Sequence, residues 1–268
     1  MQRVTIAPDQ LHQQQISLTD AQIHYLQRVL RLKVGDRFIA LDGQGQGWVA
    51  VLEANAYQAT VLAVWQMDLE LPIRLQLIIA MPKTGMDDMV RQTTELGVTT
   101  IQPVVSDRTL LKPSAKKIER WRRIAQEAME QSERQCVPVI HEPVSLVVGL
   151  AQTPADYQWL CVARQPTDCP APLLLSELLA QSLFQPSSEV DVTKSQTAKP
   201  QTAKPQAFKT ITLAIGPEGG WSKSEVERAI ALNYRPVSLG PRILRTVTAP
   251  LAAIAIIAAV MDHQKSTL

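Results

Sequence analysis

The chain has 268 residues, 46% of them apolar and 19% charged, with 27 basic against 25 acidic side chains and a formal net charge of +2. That much apolar material supports a sizeable core, in one large domain or two ordinary ones, and excludes an intrinsically disordered chain. Charge so close to balance leaves any affinity for nucleic acid to a local patch, and three cysteines without a CxxC pair argue against a disulfide frame or a zinc site, so no metal and a cytoplasmic location are expected.

Taken in order, Met1-Gln2-Arg3-Val4-Thr5-Ile6 runs into polar residues and does not have the pattern of a signal peptide. Residues 1–70 predict a small β-rich domain with one helix. Thr19 and Gln22 are spaced as a capping box, and Ile23, Leu26 and Leu30 then recur at helical intervals. Val34-Gly35-Asp36 closes that helix. Strands are expected over Arg37–Leu41, Trp48–Leu52 and Thr60–Val64. Gly43-Gln44-Gly45-Gln46-Gly47 has the glycine density of a nucleotide loop, but it joins two strands and opens no helix. Arg3, Arg28, Arg31, Lys33 and Arg37 concentrate positive charge in this domain, which fits either a phosphate-facing surface or an ordinary solvated one.

The texture changes near Leu69-Glu70-Leu71-Pro72, and residues 73–268 alternate strand-like and helix-like runs, as in an α/β domain. Leu75–Ala80 predicts a strand, followed by a helix through Met86, Met89, Val90 and Thr93 that stops at Gly97. Ile101–Val105 predicts the next strand. Ser114 is the expected N-cap of a long helix with Ile118, Trp121, Ala125, Ala128 and Met129 on one face. Its Lys116, Lys117, Arg120, Arg122 and Arg123 are either its wet face or a hold on RNA. Tyr157–Ala163 predicts a strand and Leu173–Leu183 a helix. Pro186 to Lys209 is rich in Ser, Thr, Gln, Lys and Pro, with Gln-Thr-Ala-Lys-Pro repeated in tandem, and reads as a mobile insertion.

Thr210–Ile215 is then a short apolar run with β-branched residues, the pattern of a strand buried in a parallel sheet. Ile215-Gly216-Pro217-Glu218-Gly219-Gly220-Trp221-Ser222 follows it, with Ser222 and Glu225 spaced as a second capping box. A glycine-rich turn between a strand and a helix leaves main chain open to a small ligand. Leu239-Gly240-Pro241-Arg242-Ile243-Leu244-Arg245-Thr246 repeats the arrangement after Val237-Ser238-Leu239. Ala249–Met261 is strongly apolar but shorter than the roughly 20 residues that span a bilayer, so it predicts a core helix and no membrane association.

These two loops together resemble the paired C-terminal signature of the ribosomal RNA small subunit methyltransferase E family. The likeness extends to His24–Asp36, to Thr94-Glu95-Leu96-Gly97-Val98 with Ile101-Gln102-Pro103, and to the block holding Glu127, Gln131 and Arg134. It covers nearly the whole chain apart from Pro186 to Lys209. The resemblance implies a C-terminal SPOUT-type α/β domain with a deep trefoil knot and an N-terminal PUA-like small β-barrel that binds RNA. It implies a homodimer that moves a methyl group from S-adenosylmethionine to N3 of a uridine in 16S rRNA of the small ribosomal subunit.

By the same resemblance, Ile215, Gly216, Pro217, Gly219, Gly220, Leu239, Gly240, Ile243, Leu244 and Thr246 hold the cofactor, with Pro241, Ile243 and Leu244 lining an apolar slot. Arg242 and Arg245 are the candidates for stabilising the uracil anion or for gripping a flanking phosphate, Glu218 for accepting the uracil proton, and Arg3, Arg28, Arg31, Lys33 and Lys83 for contacting RNA. Glu218 could equally be a charge at a helix N-terminus. Two positions depart from the pattern. Val247 stands where many members have Glu, and Trp221 stands where Phe is commoner, a change expected to matter little for packing.

Overall fold

The structure is a computed structural model that describes residues 1–55, 57–66, 69–109, 113–163, 171–184 and 209–265. The expected insertion at Pro186 to Lys209 therefore falls, but for Lys209, outside the described residues. Two compact units are present: Met1–Glu70 with Asp87–Thr99 and Pro113–Ile140, and Leu71–Met86 with Thr100–Lys112 and His141–Leu268.

The first unit is built on β1 (Arg3–Thr5), β2 (Leu11–His12), β3 (Gln15–Ser17), α1 (Asp20–His24), β4 (Arg37–Leu41), β5 (Gly47–Leu52) and β6 (Gln58–Trp65). Its strands lie in the order β1-β4-β5-β6-β3-β2, with β1 parallel to β4 and the remaining pairs antiparallel. β1 and β2 are the edges of this sheet, so strand pairing among the described residues does not close a barrel. The Thr19–Gln22 capping box forms as expected. After it the helix widens into one π-turn, Tyr25–Val29, before Leu30 ends it. Asp42 explains the turn between β4 and β5: its Oδ1 accepts the N–H groups of Gln44 (2.8 Å) and Gln46 (2.9 Å).

β4 is buried on both faces. Phe38 and Ala40 join Val4, Ile16, Leu26 and Leu52 in the main core of this unit, whereas Ile39 and Leu41 meet Met129 on the other side. Met129 belongs to α3 (Ala115–Gln131), which together with α2 (Met86–Glu95) and β9 (Val139–Ile140) completes the helices and strands of this region. α2 ends where Gly97 (φ +101°) donates to the Thr94 carbonyl at 3.1 Å. Ser114 takes the N-cap position of α3, but its side chain makes no cap bond; its carbonyl accepts the N–H groups of Lys117 at 2.9 Å and Ile118 at 3.3 Å. The expected face of α3 is buried, with Ile124 added.

Arg134, past the end of α3, is 3% exposed. Burying a guanidinium is costly unless each donor is met. Here Nη1 donates to the carbonyls of Thr94 (2.6 Å) and Val98 (3.0 Å), and Nη2 donates to Glu70 Oε2 (2.7 Å). The other Glu70 oxygen accepts the N–H groups of Gln135 (2.9 Å) and Cys136 (3.0 Å).

The second unit contains β7 (Ile73–Ala80), β8 (Thr100–Val105), β10 (Val144–Ser145), α4 (Leu146–Gln152), β11 (Tyr157–Cys161), β12 (Leu173–Leu174), α5 (Leu175–Phe184), β13 (Lys209–Ile215), α6 (Lys223–Ala231), β14 (Arg235–Ser238) and α7 (Ala249–Lys265). Seven strands form one parallel path, β10-β8-β7-β13-β11-β14-β12. β13 lies inside this path and is buried from Ile211 to Ile215, as its apolar run predicts. Ile78, Ala80, Leu160 and Ala214 face Leu146 and Leu150 of α4 and Ala229 of α6 on one side. α7 packs against β13 and α5. No helix among the described residues is long and apolar enough to cross a membrane.

Candidate functional site

In a parallel sheet all strands point the same way, so the loops that leave their carboxyl ends gather along one edge. Ile215 of β13 is in register with Cys161 of β11, and Cys161 with Val237 of β14. The two glycine loops recognised in the sequence therefore emerge from strands separated only by β11. The loops after β7 and β8 emerge from the same edge on the other side of β13.

The first loop is a tight turn in which Gly220 (φ +69°) donates to the Pro217 carbonyl at 2.8 Å. Its glycines have different reasons to be glycine. A Cβ on Gly216 would lie 3.1 Å from the Trp221 indole, and one on Gly219 would lie 3.0 Å from Arg108 Cδ. Protein packing accounts for both. A Cβ on Gly220 would meet nothing within 4 Å, and one on Gly240 (φ +108°) only Arg242 Nη2 at 3.9 Å. At these two positions main chain faces open space, the form a cradle takes when a ligand has to approach the backbone.

Trp221 does more than fill volume, because its Nε1 donates to the Cys161 carbonyl at 3.1 Å. A Phe could not make that bond. Burial pushes the Cys161 thiol up to about 12, so at neutral pH the cysteine offers this loop a carbonyl and no thiolate. The predicted Ser222–Glu225 capping box is present. Glu225 is 3% exposed, and its second oxygen accepts the N–H of Asp107 at 2.8 Å. Ser222 Oγ donates to Asp107 Oδ2 at 2.6 Å, and Arg108 Nη1 donates to the Gly219 carbonyl. Glu218 is not in a helix turn; its Oε1 accepts the main-chain N–H of Lys83 at 2.9 Å. Sequence reading assigned no part in the site to Asp107 or Arg108.

The second loop starts at Gly240, whose N–H donates to Ser238 Oγ at 3.1 Å. It ends where the Arg245 carbonyl accepts Thr248 and Ala249 N–H, both at 2.9 Å, turning the chain into α7. Thr246 is buried and Leu244 half-buried, but Ile243 is 62% exposed and does not line a closed slot. Arg242 and Arg245 are exposed and form no ion pair with a described residue. Val247 faces the loop after β7: a Cβ on Gly85 would lie 2.9 Å from Val247 Cγ1.

The basic residues of the first unit divide into two groups. Arg3 is held in a two-pronged pair with Glu133 (2.9 Å for each nitrogen) and lies over the Trp65 ring, 5.4 Å from its centroid. Arg28, Arg31 and Lys33 are exposed without an ion-pair partner among the described residues, and Arg31 has φ +58°. On α3, Arg120 pairs with Asp87 and Arg122 with Glu119, so part of that helix's charge is locally balanced. Among the described residues, no group of three or more His, Cys, Asp and Glu side chains could hold a metal ion.

Fold and sequence together define an RNA methyltransferase. Residues 69–258 match the family model of an RNA methyltransferase domain, and residues 18–62 match that of an RNA methyltransferase PUA domain. The chain belongs to the ribosomal RNA small subunit methyltransferase E family. It is 42% identical to the Synechocystis member over 97% of this chain and 78% of the relative, and 29% identical to the Bacillus subtilis member over 90% and 88%. Among solved structures, the member from Neisseria gonorrhoeae bound to S-adenosyl methionine is 28% identical, with a TM-score of 0.74 over 97% of this chain and 98% of that one. A probable rRNA methyltransferase from Porphyromonas gingivalis is 26% identical, with a TM-score of 0.75 over 98% and 100%.

Proposed function

We propose that this chain is a cytoplasmic, homodimeric SPOUT-type enzyme that transfers the methyl group of S-adenosylmethionine to N3 of a specific uridine in 16S rRNA of the small ribosomal subunit. The observation that carries the reading is the open main chain at Gly220 and Gly240, on two loops that leave the same sheet edge. A nucleoside cofactor without phosphates needs main chain at close range, and Gly216, Gly219, Gly220, Leu239 and Gly240 provide it, beside Ile215, Pro217, Leu244 and Thr246.

When bound, S-adenosylmethionine supplies a sulfonium methyl, so the chain itself has chiefly to align donor and acceptor. Uracil N3 must lose a proton, and the resulting anion is stabilised by a guanidinium near O2 or O4. Arg242 and Arg245 take that part in this reading. Val247 offers no carboxylate and one oxygen of Glu218 is occupied by Lys83 N–H, so in this reading the N3 proton passes to solvent water and no protein carboxylate is required. Arg28, Arg31 and Lys33, with Lys83, meet the RNA backbone.

The reading includes a deep trefoil knot, supported by β14 entering between the earlier strands β11 and β12 before the chain runs into α7. It includes a dimer through α7, whose Ala255 and Ala259 are exposed beside half-buried Ile256 and Val260. The test is incubation with S-adenosylmethionine and small subunits from a strain lacking the family enzyme, followed by mass spectrometry of the digested nucleosides. The expected product is 3-methyluridine. Methyl on a ribose 2′-oxygen would replace the substrate reading, and no transfer would leave an RNA-binding factor.

A further inference from the structure

The 106–109 turn after β8 has no part in the reaction as set out above, yet both Asp107 and Arg108 bond to the 216–222 turn. It is itself stiff: Ser106 N–H donates to Thr109 Oγ1 at 3.0 Å, the two hydroxyls are 2.7 Å apart, and Thr109 N–H returns to the Ser106 carbonyl at 3.1 Å. From this base Asp107 grips the start of α6 twice, through Ser222 and through buried Glu225. Arg108 extends over Gly219, with Nη1 on its carbonyl and Cδ 3.0 Å from where a Cβ there would lie, a tight contact to which the Arg108 side chain would have to yield.

Between the fixed points at Pro217 and Ser222 the turn has two consecutive glycines, the residues with the widest choice of backbone conformations. We propose that Arg108, braced by Asp107, is a positioning residue that holds the Gly219 carbonyl and so keeps the turn in the one conformation that opens Gly220 to the cofactor. The proposal rests on the reading of this loop as the S-adenosylmethionine site. Arg108 itself touches no reacting atom. It acts by raising the fraction of molecules whose turn is competent, and apparent affinity scales with that fraction.

The test is calorimetric titration of the full chain with S-adenosylmethionine, alongside steady-state methylation of small subunits. Arg108→Ala should weaken cofactor binding about tenfold, while kcat at saturating cofactor and KM for the small subunit stay within about twofold, because a filled site no longer depends on the population of the free turn. Gly219→Ala should weaken binding in the wild type, by driving the new methyl into Arg108. It should add little in the Arg108→Ala background, a non-additivity that a general loss of stability would not produce. Unchanged cofactor affinity with a raised small-subunit KM would overturn the proposal and make Arg108 an RNA contact, as would strict additivity of the two substitutions. A wild-type chain that binds no S-adenosylmethionine overturns the cofactor reading, and the proposal with it; wild-type binding with an unaffected Arg108→Ala overturns the positioning alone.

Discussion

Glu218 Oε1 accepts the main-chain N–H of Lys83 at 2.9 Å, so two residues 135 positions apart join the loop after β7 to the glycine turn after β13. The carboxylate oxygen is an acceptor here, and an amide oxygen can take the same place. Glu218→Gln is therefore expected to keep cofactor affinity and at least half of wild-type turnover, and Glu218→Ala to lose affinity several-fold. A fall of about a hundredfold in kcat for the Gln variant alone, measured with saturating cofactor, would instead make Glu218 the proton acceptor.

Arg245 is exposed, and its backbone carbonyl carries its structural work at the start of α7. Arg245→Ala should leave the thermal midpoint within about 2 °C of wild type and lower methyl transfer to isolated small subunits about a hundredfold or more. Wild-type turnover in this variant would remove Arg245 from the mechanism.

At Gly220, loss of conformational freedom and loss of space can be separated. Val is penalised at φ +69° and also fills the open volume, whereas Asn tolerates left-handed backbone and fills the volume alone. Both Gly220→Val and Gly220→Asn are expected to bind S-adenosylmethionine at least tenfold more weakly in a calorimetric titration, with the Asn variant close to wild type in stability. Normal affinity in Gly220→Asn would mean that the space above the turn is not used.

Arg134→Met strips four hydrogen bonds from a buried site, two of them to the Glu70 carboxylate. Breaking such a pair costs about 3–5 kcal/mol, which a shifted urea midpoint at an unchanged slope would report. Glu70→Gln should cost less, since an amide oxygen still accepts from Gln135 and Cys136.

The Cys161 thiol, held by burial at about 12 against its usual 9.0, keeps its proton more tightly in the folded chain than in the unfolded one. Its contribution to stability is complete below pH 9 and is lost as the pH rises towards 12; Cys136, raised to about 11 by burial and by Glu70, acts in the same direction. Denaturant unfolding at about pH 8 and about pH 10.5 should show a larger drop in the wild type than in Cys161→Ala. Equal drops would place the alkaline sensitivity elsewhere.

Features set within a few residues of one another were legible in the sequence. Both capping boxes, the αL glycine after α2 and the buried run of β13 follow from local spacing, and each is present in the structure. The fixings of the turn were not legible, because Asp107 meets Ser222 and Glu225, and Arg108 meets Gly219, across 111 to 118 positions of sequence. Those contacts exist only because β8, β7 and β13 lie side by side, an order that no local pattern encodes. Glycine identity was legible but its cause was not: Gly216 makes way for Trp221 and Gly219 for Arg108. Ser114 had the right residue type at the right position without the bond that usually explains it. Arg3 has the same kind of local sequence setting as the other basic residues of its unit, but Glu133 and Trp65, both distant in sequence, hold it in place.

The insertion of β11 between β13 and β14 fixes a dimension as well as an order. Neighbouring strands are held about 4.8 Å apart by their backbone hydrogen bonds, so the roots of the two glycine loops stand about 10 Å apart whatever residues the loops contain. Substitutions can change what the loops present to a ligand, but the gauge between them belongs to the sheet, and it can be reset only by adding or removing a strand.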